Sequence, residues 1–245
     1  MKYYLSIFSL GLLITSCTPR PSAETILAKA IEVHGGPKVA NSYVSFDFRD
    51  KHYKANYADG NFTLSRHFSD TLGNKIIDKL TNSSFERYVN DTIIPLTDEW
   101  VTKYSNSVNS VVYFFRLPHN LQDPAANLDY IGKGSIDGVS YNKIKVSFSE
   151  EGGGEDFDDL FVYWFNDETY TLDYFAYEYA TSGGGKRFRK AFNKRNENGL
   201  LVSDYINYKP KDLKVNIEEY DIYFSENGLI KLSEIINKNV KVTYN

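Results

Sequence analysis

Tyr53-Lys54-Ala55-Asn56-Tyr57-Ala58-Asp59-Gly60-Asn61-Phe62-Thr63-Leu64 is the stretch whose reading decides the fold. Tyr53, Ala55 and Tyr57 alternate with Lys54 and Asn56, the period of two that marks a half-buried strand. Asp59-Gly60 follows, a pair that tolerates the positive φ angles of a two-residue hairpin turn. Closing the hairpin there pairs Ala58 with Asn61 and sets Ala55 against Leu64 and Tyr57 against Phe62 on one apolar face. His52 then falls opposite His67 on the polar face, beside Lys54 and Ser65. The same turn signal recurs at Asp137-Gly138, Asn198-Gly199 and Asn227-Gly228, so hairpins dominate the chain.

Outward from this hairpin the pattern extends. Val44, Phe46 and Phe48 alternate with polar residues, and further strands are expected at 74–80, 84–90, 141–149, 158–165, 170–180, 186–193, 200–208, 216–225 and 229–243. Two segments are helical instead. Ser22 can cap a helix carrying Ile26, Leu27, Ala30 and Ile31, which Gly35-Gly36-Pro37 stops. Val108, Val111, Val112 and Phe115 follow the spacing of one helical face, a helix from Ser107 to Phe115 that Leu117-Pro118 ends. The fold class is mainly β (α+β). A meander this long must curl to hide its apolar face, giving a strongly curved antiparallel sheet or open half-barrel with both helices on its concave side.

The 245 residues suit a single β domain. Hydrophobic residues are 42% and charged residues 24%, enough to build a core and too apolar for an extended disordered chain. A net charge of -4, with no sustained basic stripe, argues against a nucleic-acid partner.

The N-terminus carries an address. Lys2 precedes an apolar run from Tyr4 to Ile14, too short to span a bilayer, and the run ends at Ile14-Thr15-Ser16-Cys17. Residues 1–16 read as a signal peptide, Cys17 as a lipidation site, 17–21 as a tether and 22–245 as one antiparallel domain. Cys17 is the single Cys, so no disulfide can form within the chain. After cleavage, 27 basic residues face 32 acidic ones, a net -5. The location expected is the bacterial cell envelope, with the chain anchored to a membrane by its lipid.

Ile14-Thr15-Ser16-Cys17, which resembles a bacterial lipobox, Val33-His34-Gly35-Gly36, the segment from Asn106 to Phe114 with Leu117-Pro118, and the triple glycines at 152–154 and 183–185 together resemble an uncharacterised family of exported bacterial lipoproteins. That resemblance implies no activity. A helix, a long meander and an inserted helical segment are also similar, in architecture, to the half-barrel of periplasmic lipoprotein carriers.

No metal-ligand spacing, phosphate loop, nucleophile elbow or dinucleotide fingerprint occurs, and no cofactor is implied. His52 and His67 read as a solvated cross-strand pair rather than metal ligands. A four-residue turn at Asn166–Thr169 would bring the two glycine runs to one end of a hairpin. It would gather Glu150, Glu151, Glu155, Asp156, Asp158 and Asp159 near Lys186, Arg187, Arg189 and Lys190, a rim that reads either as solvated loops or as a binding edge. Leu160–Phe165 and Tyr170–Tyr179 are apolar on both faces, so both sides need cover, and the mid-chain helix could supply one lid. Val112, Phe115, Tyr163, Trp164, Phe175 and Tyr177 are accordingly the candidate ligand contacts. The leading expectation is a noncatalytic module for a lipid-like or apolar ligand. The alternatives are an exported hydrolase using Asp158 and Asp159, or a structural envelope lipoprotein.

Overall fold

The computed structural model describes residues 20–149, 151, 158–180 and 183–244. Cys17, the leader, part of the tether, Glu150, Glu155, Asp156 and the glycines at 152–154 lie outside the described residues.

Helix α1 (Ala23–Val33) starts where expected, Ser22 Oγ accepting the Thr25 N–H at 3.2 Å. It stops at Gly35, whose φ of 123° and approach to the Gly199 carbonyl leave no room for a side chain, since a Cβ would sit 2.9 Å from that oxygen. Helix α2 (Asp98–Phe115) begins well before Ser107. Asp98 and Glu99 in its first turn favour the positive end of the helix, and Glu99 pairs with Lys103 one turn on.

The meander divides into two curved antiparallel sheets of seven strands each, not closed into a barrel. Sheet one contains β1 (Ser42–Phe48), β2 (Lys51–Ala58), β3 (Asn61–Ser69), β4 (Lys75–Thr81), β5 (Phe85–Val89) and β6 (Thr92–Ile93) in chain order. Sheet two contains β7 (Ala126–Ile136), β8 (Val139–Phe148), β9 (Leu160–Asn166), β10 (Leu172–Tyr179), β11 (Gly185–Glu197), β12 (Leu200–Pro210) and β13 (Leu229–Ile235), also in chain order. The last strand, β14 (Asn237–Tyr244), returns to sheet one and pairs with β1. Helix α2 is the crossover between the sheets.

The Asp59-Gly60 turn has φ angles of 51° and 77°, and the register behind it is the expected one, with His52 opposite His67 and Ala55 opposite Leu64. Three expectations are corrected. Residues 216–225 are helical, not a strand: a 3-10 turn at Ile217–Glu219 runs into α3 (Tyr220–Ser225), because Asn216 Oδ1 caps the Glu218 N–H and Ile217, Tyr220 and Phe224 fall on one face. The run 229–243 is two strands in different sheets. Buried Asp204 accepts the Asn237 N–H at 2.9 Å, and Asn237 Nδ2 donates to the Ser203 carbonyl at 3.0 Å, which fixes the switch. The turn between β9 and β10 is longer than four residues, with Tyr170 at φ 57° and a bulge between Leu172 and Tyr174, so Tyr163 faces Phe175 and Phe161 faces Tyr177.

Both faces of the β9–β10 hairpin are covered, as its composition demands. Phe161, Tyr163, Phe165 and Phe175 pack under α1 and the end of α2. Val162, Trp164, Tyr174, Ala176 and Phe188 pack under α3. A third core lies between sheet one and α2, where Val108 and Val112 meet Val44, Phe46, Tyr53 and Leu64.

Candidate functional site

Across sheet one, register aligns Tyr53 with Arg66, Arg66 with Asp78 and Asp78 with Arg87 in one row under α2. Asp78 is fully buried and accepts from Arg66 Nε at 2.9 Å and Arg87 Nε at 2.6 Å. Arg66 Nη1 then donates to Ser107 Oγ of α2 at 2.6 Å, and the Arg87 guanidinium lies 3.3 Å from the ring centroid of Tyr104. Phe115 stacks on Phe46 with centroids 4.0 Å apart. One side of α2 is therefore docked on sheet one and built into that core, while its end covers the aromatic hairpin.

The other side of α2 lines a partly enclosed cavity of about 570 Å³. Phe48, Phe114, Phe115, Phe148, Phe161 and Tyr177 form its aromatic wall, while Arg49, Asp159, Arg187, Arg189, Asn207 and Asn237 contribute polar groups. Phe114 bridges helix and sheet, 5.6 Å from Phe175 and 5.2 Å from Tyr177 between centroids. Arg189 lies across these rings, its guanidinium carbon 4.1 Å from the Phe114 centroid, and Nη2 donates to Tyr177 Oη at 2.9 Å. Burial pushes the Tyr113 and Tyr205 phenols, both on the cavity wall, up to about 12, so they remain neutral hydrogen-bonding groups.

Of the six expected contacts, Phe115 and Tyr177 line this cavity. Tyr163 and Phe175 are fully buried beneath it, on the same sheet face. Val112 is fully buried against sheet one. Trp164 points the opposite way, under α3, because strand neighbours alternate between faces. Sequence reasoning missed Arg187 and Arg189 as cavity residues, placing them in a charged rim. The signal was available: Arg187 pairs with Tyr177 and Arg189 with Phe175, so both arginines share the aromatic face.

At the expected acidic rim, Asp158 is exposed, whereas Asp159 is buried at the cavity edge and accepts the Ala180 N–H at 3.4 Å. His52 contacts Asp47 at 2.6 Å and His67 contacts Ser65 at 2.9 Å. Burial, with Lys54 and His52 nearby, lowers the affinity of His67 for a proton. Among the described residues no three His, Cys, Asp or Glu side chains converge as a metal site.

Two curved sheets, closed on one side by helices over an amphipathic cavity, define a LolA-like open half-barrel. A LolA superfamily protein from Nitrosomonas europaea shares the fold, with a TM-score of 0.52 at 13% identity over 91% of this chain and 94% of that one. A DUF1329 family protein from Desulfovibrio piger matches with a TM-score of 0.46 at 9% identity, over 92% and 94% of the two chains. The chain itself belongs to a family of unknown function, DUF6503, whose model matches residues 3–237. No curated protein matches it.

Proposed function

We propose that this protein is an exported, membrane-tethered module that holds a lipid-like apolar ligand in the cavity between α2 and sheet two. The observation that carries the reading is the cavity: about 570 Å³, within the usual range for a small-molecule site of roughly 300–1,000 Å³, with an aromatic wall from both helix and sheet. The LolA-like fold and the lipobox at Cys17 support it. The wall residues are held by packing on both sides of the hairpin.

Uptake of a fluorescent fatty acid by the purified domain tests the reading. Saturable binding is expected, and Ser110→Trp, which places a large ring at an exposed position on the cavity wall, should weaken it at least tenfold while leaving the urea midpoint unchanged. A wild-type domain that takes up no apolar probe would overturn the proposal. The tether has a separate readout. Cys17→Ser should shift the protein from the membrane pellet to the soluble envelope fraction or leave it unprocessed, and native protein with residues 1–16 intact and Cys17 unmodified would exclude anchoring.

A further inference from the structure

The cavity is not uniformly apolar, and its polar half is organised. Cross-strand register puts Tyr163, Phe175, Arg189, Asn207 and Ser233 in one row across sheet two, so the wall grades from aromatic to polar along a single line. Arg189 stands at the junction. Its Nη2 is used by Tyr177, but its Nε is buried without a hydrogen-bond partner. In the neighbouring position, the buried Asn207 Oδ1 also lacks a partner. Arg187, two residues along the same strand, has its guanidinium carbon 5.4 Å from the Tyr179 ring centroid and donates Nη1 to the Lys186 carbonyl.

Charge decides what such a junction can accept. Among the described residues, three arginines, Arg49, Arg187 and Arg189, line the cavity against one carboxylate, Asp159. Among the described residues neither Arg187 nor Arg189 forms an ion pair with a carboxylate. An arginine cannot shed its proton, so a guanidinium in this setting keeps its charge and its unfilled donor. Stacking on Phe114 and Phe175 orients the planar fork but does not neutralise it. An oxyanion would meet both needs.

We infer that the cavity selects an anionic single-chain amphiphile, its acyl chain along the Phe114–Phe161–Tyr177 wall and its carboxylate or phosphate on Arg189, with Arg187 and Arg49 of the same lining contributing positive field. This rests on the proposed ligand-binding role and adds the headgroup. A cavity of about 570 Å³ favours one chain over a multiply acylated lipid.

Four probes of equal chain length, dodecanoate, dodecyl phosphate, dodecanol and dodecyltrimethylammonium, separate the possibilities in calorimetric titrations below their micelle concentrations. The two anions should bind roughly tenfold or more tightly than dodecanol, the scale of one charge-assisted hydrogen bond. The cation should bind more weakly still. The ratio between dodecanoate and dodecyl phosphate identifies which acid fits. Arg189→Met keeps the apolar stem and should abolish the anion preference while dodecanol binding persists. If that variant is poorly folded, Arg187→Gln, two residues along the same strand, should reduce the preference severalfold in a domain of wild-type stability. Equal affinity for dodecanol and the anions, or a preference that survives both substitutions, overturns the headgroup site and leaves the apolar module standing. Binding of none of the four removes both.

Discussion

Replacing Asp78 by alanine is expected to destabilise the domain by about 3–5 kcal/mol, the usual loss when one partner of a buried ion pair is removed. Asp78 has no exposed surface, and its two oxygens receive four charge-assisted hydrogen bonds from Arg66 and Arg87. Without it two guanidinium groups remain in a site where side-chain exposures are 7% and 11%. The loss should spread to α2, because Ser107 and Tyr104 of the helix touch those same guanidinium groups. Urea denaturation gives the global number, and hydrogen exchange gives its distribution: amides of α2 should lose protection before those of α1. A triple replacement by apolar residues of similar volume should recover much of the stability, since the penalty lies in the unpaired charges and not in the pair itself. A loss below about 1 kcal/mol would show that water reaches the row, and would remove the reason given for α2 staying docked.

That row also shows what the sequence could and could not convey. The hairpin at Asp59-Gly60 was legible because its turn chemistry and its apolar alternation are local and agree. Arg66 occupies an inward position in that same register, two residues from Leu64, so a buried charge was implied; its partner was not, because Asp78 and Arg87 come from other strands. Residues 216–225 misled for a related reason. Ile217, Tyr220, Ile222, Tyr223 and Phe224 favour strands by composition, but the Asn216 cap and the apolar face against Phe188 outweigh that preference. The division into two sheets left no local mark either. Ile235 and Asn237 sit on either side of the switch with no turn residue between them, and the cause is Asp204, 33 residues away. At the cavity, composition pointed to the aromatic hairpin, while the choice between Trp164 and Arg189 as wall residues depended on which face of each strand turns toward the cavity, and a hairpin apolar on both faces does not mark that face.

Acidification should weaken the fold through His34 and His119 well before the carboxylates take up protons. Both rings are buried, 3% and 8% exposed, and burial pushes each pKa down to about 4. For His34, Lys194 adds to the lowering, while the Ala30 hydrogen bond and Asp173 oppose it; for His119, Arg116 and His34 add and the His34 carbonyl opposes. The hydrogen bonds explain why the neutral rings fit. His34 Nδ1 donates to the Ala30 carbonyl at 2.7 Å, and its Nε2 accepts the Leu172 N–H at 3.4 Å, so a second ring proton would face another donor. His119 Nε2 donates to the His34 carbonyl at 3.1 Å, coupling the two. An unfolded histidine binds its proton near pH 6.5, so below that the unfolded state holds more protons than the folded one and stability falls with pH. The stability is complete above about pH 6.5, and the loss reaches about 2 kcal/mol per histidine at pH 5 and about 3 at pH 4. His67, also lowered, acts in the same direction. Asp47, Asp70 and Asp167, whose carboxyls are held below their ordinary value, contribute only at lower pH. The interval from pH 7 to pH 5 therefore isolates the histidines. Urea midpoints across it should fall steeply for the wild type and about half as steeply for His119→Gln, whose amide can still donate to the His34 carbonyl. A flat wild-type profile between pH 7 and 5 would mean that both rings bind protons in the folded state as readily as in the unfolded one, and the Leu172 N–H could not then be the neighbour of His34.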